Sequence, residues 1–247
     1  MTRFLVPYHL DEHLPDLVAP VSTGETVRVE LPVGDPWQRM TVLHERVAGA
    51  VATAIGRRER PVVVAGDCMA SLGTVAGMQR AGLRPGVVWF DAHGDVQTLE
   101  TSGSGYLGGF PLRLLTGYRP ELIGASLGLV AVPEDQIALV GARDLDPPEV
   151  TYLAAAAIRQ RTVTDLTDLP AGPLYLHLDL DVIDPAALPG MRYPASGGPG
   201  IDTVTAAVGQ LLASGAVAAL GLACVWQPGA VAVDQLRTSL EGVITQW

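Results

Sequence analysis

The sequence predicts a three-layer α/β/α domain, in which helices cover both faces of a single parallel β-sheet. Apolar, β-branched segments of strand length alternate with amphipathic segments of helix length along the whole chain. No internal repeat, low-complexity tract or linker interrupts this alternation, so one domain over residues 1–247 is expected. Clusters of Asp and His follow directly after two of the apolar segments, as expected where parallel strands end at a site.

Short apolar runs bounded by Gly, Pro or Asp define the predicted strands. They lie at residues 4–8, 61–65, 86–90, 136–140, 174–180 and 217–225. Helices are predicted at residues 36–56, 72–78, 111–115, 148–158, 204–212 and 233–244. The longest helix carries the clearest signals, because Asp35 is a good N-cap, Pro36 suits the first helical position and Gly56 ends the apolar repeat.

Charge and composition exclude several classes of protein and partner. The net charge of −10 and pI near 4.8 speak against nucleic acid or an anionic membrane as a partner. Two cysteines, Cys68 and Cys224, are too few for a disulfide scaffold and fit a reducing compartment. Residues 1–17 lack the apolar core of a signal peptide, and no apolar run approaches the ~20 residues of a membrane helix. We therefore expect a cytoplasmic protein, and the sequence leaves open whether it forms a homo-oligomer.

Metal-binding side chains follow two of the predicted strands. Asp91, His93 and Asp95 stand at every second position after strand 86–90, and His177, Asp179 and Asp181 alternate with leucines in and after strand 174–180. In extended backbone, residues two apart point the same way, so each set converges on one point. Carboxylates brought together at the edge of an apolar sheet repel one another and resist desolvation. The pattern therefore predicts a metal site with more than one ion.

The order of the motifs along the chain resembles the arginase/agmatinase (ureohydrolase) family. The segments that carry this resemblance are Gly66-Asp67-Cys68, Asp91-Ala92-His93-Gly94-Asp95, Gly141-Ala142-Arg143-Asp144-Leu145-Asp146, Asp179-Leu180-Asp181-Val182-Ile183-Asp184-Pro185 and Pro194-Ala195-Ser196-Gly197-Gly198-Pro199. The resemblance implies an arginase-like fold, a binuclear manganese centre and hydrolysis of a small molecule's guanidino group to urea and an amine.

The resemblance also implies a set of ligands for two divalent ions. Asp91 and Asp179 would bridge the ions, and His93 and Asp181 would complete one of them. Asp95 and Cys68 would complete the other, and Asp95 would also help to move a proton during catalysis. Manganese suits the carboxylates, whereas the family usually has histidine at the position of Cys68, and a softer thiolate favours Zn²⁺ or Fe²⁺. Cys68 is alternatively a small buried residue without metal contact.

Two further departures from the family pattern concern the substrate. Gly108 stands where the family has a proton-transferring histidine, in the loop after the first motif. Val225, in the segment Cys224-Val225-Trp226-Gln227-Pro228, stands where the family has the glutamate that receives the guanidinium. Burial of a guanidinium against valine leaves a desolvated charge without its partner, which costs several kcal/mol.

Four other residues are candidates for the site, and Cys224 is expected in the core. His177 is the second catalytic candidate beside Asp95, although it lies about 6.6 Å deeper along its strand than Asp179, where a supporting hydrogen bond is the favoured role. Gln97, Ser104 and Asp146 are candidates for contact with the substrate. Asp146 is alternatively only the cap of the following helix.

Three functions are consistent with this pattern. The favoured one is a binuclear-metal hydrolase whose substrate is an uncharged or modified relative of a guanidine, such as an amidine, hydroxyguanidine or ureido compound, and not free arginine. The second is a non-catalytic descendant that keeps metal for a structural or binding role. The third is an ordinary guanidino hydrolase in which another residue replaces the lost glutamate.

Overall fold

A computed structural model of the chain describes residues 1–227 and 233–247. Its strands are β1 (Thr2–Val6), β2 (Tyr8–His9), β3 (Glu12–His13), β4 (Glu25–Thr26), β5 (Pro61–Ala65), β6 (Gly86–Phe90), β7 (Ile137–Val140), β8 (Arg159–Arg161), β9 (Leu174–Asp179) and β10 (Val217–Ala223). Its helices are α1 (Pro36–Gly56), α2 (Ala70–Arg80), α3 (Pro111–Leu115), α4 (Pro147–Ala155), α5 (Ile201–Ala213) and α6 (Asp234–Ile244).

Eight strands form one parallel sheet in the order β4-β1-β5-β10-β9-β6-β7-β8. The central strands are buried on both faces, because alternate residues enter two separate apolar clusters: Val63 faces one, and Val62 and Val64 face the other. Helices α1 and α2 pack together with the first cluster, and α5 and α6 with the second. The predicted three-layer α/β/α architecture with one parallel sheet is confirmed.

The predicted elements differ from the observed ones mainly at the sheet edges. Strands β4 and β8 were not predicted, since their side chains are exposed or half-buried and carry no apolar pattern. The predicted strand 4–8 is divided, because β1 ends at Val6 and Tyr8–His9 forms an antiparallel hairpin with β3. The predicted strand 217–225 ends at Ala223. Of the helices described, none is long and apolar enough for a membrane span.

The two longest helices on one face position the loop that carries Cys68. As predicted, Asp35 caps α1: its Oδ1 accepts the backbone N–H groups of Trp37 at 2.8 Å and Gln38 at 3.1 Å. Helix α2 lies very close to α1, since a Cβ built on Gly73 would stand 2.7 Å from the carbonyl oxygen of His44. Because Cys68 joins the end of β5 to the start of α2, this packing holds it at the carboxyl edge of the sheet.

Candidate metal centre and pocket

The predicted ligands lie together because their strands are neighbours in the sheet. Strands β6 and β9 pair in parallel with Trp89 opposite His177, and β10 lies between β9 and β5. All six predicted ligands line one pocket of about 170 Å³: Cys68, Asp91, His93, Asp95, Asp179 and Asp181. The carboxyl edge of the sheet is thus the site, as expected for a parallel α/β fold.

Asp91, His93 and Asp181 form the first group of side chains suited to a metal ion. Each offers one ligand atom within 4.8 Å of the other two. His93 Nδ1 lies 3.0 Å from Asp181 Oδ2 and 3.5 Å from Asp91 Oδ1. Burial opposes the charged ring, but hydrogen bonds to these two carboxylates raise the pKa of His93 to about 12. The imidazolium thus occupies the place of a cation between the two acids.

Cys68, Asp91, His177 and Asp179 form the second group, again with ligand atoms within 4.8 Å of one another. The thiol of Cys68 donates to Asp179 Oδ2 at 2.9 Å, and His177 Nε2 lies 3.2 Å from the Cys68 sulfur. Asp91 is shared by both groups, which is the arrangement of a bridging ligand. The resemblance assigned Asp95, and not His177, to the ion beside Cys68.

His177 belongs to this group although it stands two residues before Asp179, the last residue of β9. The imidazole stacks on Trp89 with ring centroids 3.8 Å apart. Its Nδ1 contacts the hydroxyls of Ser71 at 3.1 Å and Tyr175 at 3.2 Å, which leaves Nε2 facing Cys68. The depth of its Cα along β9 therefore does not keep the ring out of the site. Burial lowers the pKa of His177 to about 3, so the ring is neutral, the form that binds metals.

Asp95 lies in the same pocket but belongs to neither group of the described residues. Strand β6 ends at Phe90, and Asp95 has a φ of +54°, so the extended alternation assumed from the sequence does not continue to this residue. A left-handed backbone at a residue other than glycine costs of order 1–3 kcal/mol and is concentrated at functional sites. The carbonyl of Asp95 accepts the N–H of Leu112 at 3.0 Å, which fixes this backbone against α3.

The donor set fits divalent metal ions. Burial, together with the neighbouring carboxylates, raises the pKa of Asp95 and Asp179 well above the ordinary range and that of Asp181 to about 6. Asp95 Oδ2 is buried and has no hydrogen-bond partner among the described residues. A cation in the pocket would satisfy this oxygen and remove the repulsion among the acids. Carboxylate, imidazole and thiolate are all ordinary ligands of divalent transition metals.

The three predicted substrate-contact residues all line the pocket. Gln97 Nε2 donates to Asp146 Oδ2 at 2.9 Å, so these two side chains form one polar unit. Asp146 is also the N-cap of α4, so the structural role considered from the sequence coexists with a place in the pocket. Ser104 Oγ accepts the N–H of Tyr106 at 3.2 Å. Their roles towards a substrate stay predictions.

Sequence reasoning missed several pocket residues. Glu149 lines the pocket, and its Oε2 accepts the N–H of Asp146 at 3.1 Å. The spacing Asp146-Pro147-Pro148-Glu149 is that of a capping box and could have identified it. Tyr106 and Tyr193 also line the pocket, but they lie in a glycine-rich loop and a turn-rich segment without a distinguishing pattern.

Gly108 and Val225, the two positions where the sequence departs from the family's substrate-related pattern, both line the pocket. Pro228, at the end of the segment that contains Val225, lies outside the described residues. Cys224 is 1% exposed and packs within the second apolar cluster, which confirms its predicted place in the core. The pocket thus combines the six predicted ligands with an apolar side chain, Val225, where a glutamate was expected.

Comparison with known protein sequences indicates the same family as the motifs. A model of the arginase family matches residues 8–228. The arginase of Bacillus caldovelox is 33% identical over 172 residues, which cover 63% of this chain and 57% of that protein. An arginase of Staphylococcus aureus (strain MSSA476) is 29% identical over 199 residues, which cover 74% of this chain and 66% of that protein. The chain therefore spans less than two thirds of the length of these relatives.

Solved structures show the same fold. The arginase of Bacillus caldovelox superposes with a TM-score of 0.83 at 22% identity, covering 97% of this chain and 95% of that one. A formimidoylglutamase of Bacillus subtilis superposes with a TM-score of 0.71 at 16% identity, covering 98% of this chain and 84% of that one. An agmatine ureohydrolase of Thermoplasma volcanium superposes with a TM-score of 0.66 at 15% identity, covering 99% of this chain and 86% of that one. The sequence match and the shared fold agree, and the chain belongs to the arginase family.

Proposed function

We propose that this protein is a binuclear-metal-dependent hydrolase of the ureohydrolase type, which cleaves a C–N bond in a guanidino-, amidino- or ureido-like small molecule other than free arginine. One observation carries the proposal: two groups of ligand side chains share Asp91 and, apart from His177, line a pocket whose wall has Val225 at the expected position of the guanidinium-binding glutamate. The names of the solved neighbours, which include an arginase, a formimidoylglutamase and an agmatine ureohydrolase, support a family site that serves several substrates.

The two groups divide the ligands between two ions. Asp91, His93 and Asp181 would hold one ion, and Cys68, Asp91, His177 and Asp179 the other. We expect Mn²⁺ for the oxygen-rich group, and the thiol favours Zn²⁺ or Fe²⁺ in the other. When bound, such ions supply Lewis-acid polarisation of the substrate and make water a competent nucleophile near neutral pH.

The chain's own residues would then orient the substrate and move its protons. Asp95 Oδ2 is free of hydrogen bonds among the described residues and lines the pocket, so it is placed to accept a proton from the attacking water. The same oxygen would return that proton to the leaving nitrogen as the C–N bond breaks. The polar unit of Gln97 and Asp146 would hold a polar part of the substrate.

His177 acts in this scheme as a ligand and positioning residue. Its ring contacts the hydroxyls of Ser71 and Tyr175 and stacks on Trp89, and these contacts hold Nε2 towards Cys68. Such anchoring of an imidazole on its far nitrogen is typical of histidines that support metal ligands. The sequence suggested a catalytic role for His177. In this proposal His177 instead orients Cys68.

A second function is favoured by the same two departures. Loss of both the histidine (Gly108) and the glutamate (Val225) is also expected in a non-catalytic descendant that binds metal for a structural or recognition role. The two functions share the metal centre and differ only in turnover.

The test is turnover by the metal-loaded chain. Purified protein loaded with Mn²⁺, and in parallel with Zn²⁺ or Fe²⁺, is incubated with arginine, agmatine and matched amidino, hydroxyguanidino and ureido compounds, and released urea, ammonia and amine are measured. The proposal expects turnover of a compound other than arginine, lost in Asp181→Asn. Turnover of none of them by fully loaded protein favours the non-catalytic function.

A further inference from the structure

Tyr106 fills the space that the side chain of residue 108 would otherwise occupy. A Cβ built on Gly108 would lie 2.3 Å from both Cζ and the hydroxyl of Tyr106, far inside van der Waals contact. No other residue type fits at position 108 while Tyr106 keeps its place. The glycine that removes the family's histidine therefore admits a phenol into the same part of the pocket.

A histidine from the N-terminal hairpin holds this phenol. The Tyr106 hydroxyl lies 3.2 Å from Nε2 of His9, and Nδ1 of His9 lies 3.0 Å from the carbonyl oxygen of Gly66. Because a carbonyl only accepts, Nδ1 carries the proton and Nε2 accepts from the phenol. A phenol oxygen keeps acceptor lone pairs when its O–H donates, and Tyr106 lines the pocket beside Tyr193, with whose side chain it also hydrogen-bonds. Its oxygen is therefore placed to accept an N–H or O–H from a ligand.

Three aromatic rings form a continuous wall at this point. Tyr106 and Tyr193 have ring centroids 5.1 Å apart, and His9 stacks on Tyr106 at 5.8 Å and on Tyr193 at 6.3 Å. Both tyrosines line the pocket, and His9 is 5% exposed behind them. Flat, delocalised groups stack favourably on such faces.

The carboxylate beside this wall, that of Asp67, is already hydrogen-bonded to the backbone. Asp67, which with burial helps to raise the pKa of Tyr106, has its two oxygens occupied by the N–H groups of Leu10 at 2.6 Å and Met69 at 2.8 Å. Val225, in the same pocket, is apolar. A guanidinium placed here would lose its water without gaining a carboxylate partner at Val225.

We propose that His9, Tyr106 and Tyr193 form a recognition subsite for a planar, uncharged C–N group, which stacks on the tyrosines and donates an N–H or O–H to the Tyr106 oxygen. This inference rests on the proposed function, because it names the substrate class of the same pocket. Tyr106 thereby takes the position of the missing histidine, and stacking replaces the missing glutamate.

Binding of a matched pair of probes to the Mn²⁺-loaded full chain tests the subsite. Citrulline and arginine share one amino-acid frame and differ in whether the planar head is an uncharged ureido group or a guanidinium. Calorimetry should give a dissociation constant about tenfold or more lower for citrulline than for arginine. Tyr106→Phe keeps the ring and removes the acceptor, so it should weaken citrulline binding about fivefold, the effect of one hydrogen bond. Gly108→Ala, which displaces the phenol, should weaken it at least as much.

Tyr118→Phe is the matched control, because the Tyr118 hydroxyl bonds to Glu100 away from the pocket lining, and it should leave both constants unchanged. Metal content and melting temperature are measured for every variant. Equal or tighter binding of arginine, binding of neither probe, or no effect of Tyr106→Phe in protein that keeps its metal would overturn the subsite and leave the metal centre standing. Failure of the wild-type chain to take up metal would instead overturn the proposed function.

Discussion

Nε2 of His177 lies 3.2 Å from Sγ of Cys68, so an imidazole on β9 and a thiol in the loop after β5 face each other beside the pocket. The family usually has a histidine at the position of Cys68, and here the imidazole comes from β9. This side of Asp91 therefore offers sulfur and nitrogen, whereas the other side offers His93 with the oxygens of Asp91 and Asp181. We expect the two metal positions to differ in their preferred ion.

The purified chain should bind two Mn²⁺ ions per molecule and gain thermal stability from them. The acids cannot share the pocket in charged form without cations, and a ligand at 100 times its Kd stabilises the folded state by about 2.7 kcal/mol. Asp181→Asn should reduce the content to about one ion, whereas Asp135→Asn, an exposed acid elsewhere, should keep both. Elemental analysis and melting curves check this. Absence of uptake and of any melting shift would eliminate the metal centre.

Cobalt should report whether Cys68 is a ligand. Co²⁺-loaded wild type should show sulfur-to-cobalt charge-transfer absorption, because a thiolate in the second group would bind the ion. Cys68→Ala should lose this band and about one ion, and Cys68→His should keep both ions while shifting preference towards Mn²⁺. Cys224→Ala is the matched control, since that thiol is buried in the second apolar cluster. A band that survives in Cys68→Ala would show that Cys68 only fills space.

Free arginine should release negligible urea from the metal-loaded protein. The reason is Val225, an apolar residue that cannot pair with the desolvated guanidinium as a glutamate at this position would. Urea is measured over time beside an uncharged ureido or amidino compound at equal concentration. Hydrolysis of arginine at an ordinary enzyme rate, ~1 to 10³ s⁻¹, would show that the glutamate is dispensable and that the protein is a guanidino hydrolase.

A variant with the expected glutamate at position 225 complements the arginine assay. Val225→Glu should improve arginine binding if the wall alone excludes it. A new buried carboxylate can instead protonate, so its effect on citrulline binding and on the melting temperature must be measured alongside.

Acid should destabilise the protein through His44, a residue away from the pocket. Helix α1 buries this ring, and burial lowers the pKa of His44 to about 3. The unfolded chain, with a pKa near 6.5, then binds a proton that the folded chain does not. The free energy of unfolding is therefore unaffected above about pH 6.5 and falls progressively as pH drops towards 3, by up to a few kcal/mol.

His44→Leu tests this contribution, because His44 Nδ1 has no hydrogen-bond partner among the described residues that the change would leave unpaired. The variant should lose less stability than wild type between about pH 6.5 and pH 4. His13→Gln, at an exposed ring, should follow the wild-type curve. Melting temperatures measured over a pH series test this expectation. If the melting temperatures of wild type and His44→Leu fell in parallel as pH drops, the expectation would be wrong.

The central strands were predictable and the edges were not, for one physical reason. Strands β5, β6 and β9 are buried on both faces, so almost every residue in them is apolar. Edge strand β8 consists of Arg159, Gln160 and Arg161, and nothing in that composition marks a strand. Sequence patterns report burial, and edge strands lack it.

The site was predictable where regular backbone carries it. Asp179 and Asp91 follow directly from strand ends, and both line the pocket, where Asp91 is shared by the two ligand groups and Asp179 belongs to the second. Asp95 departs from the alternation because its backbone turns left-handed, and the His177 ring contacts Cys68 although His177 stands two residues before the end of β9. His9, Tyr106 and Tyr193 come from three separate loops or hairpins, so only the folded chain brings them together.

The Trp89 ring, fully buried, stacks on His177 and donates its N–H to Asp91 Oδ2 at 3.0 Å. An indole in this position is an intrinsic optical probe, because its fluorescence depends on the charge and hydrogen bonding of the carboxylate and imidazole that it touches. A paramagnetic ion beside Asp91 should quench that emission and a closed-shell ion should not. Titration with Mn²⁺ against Zn²⁺ would thus follow occupancy of the centre in solution without a label, and Trp89→Phe identifies the signal against the three other tryptophans.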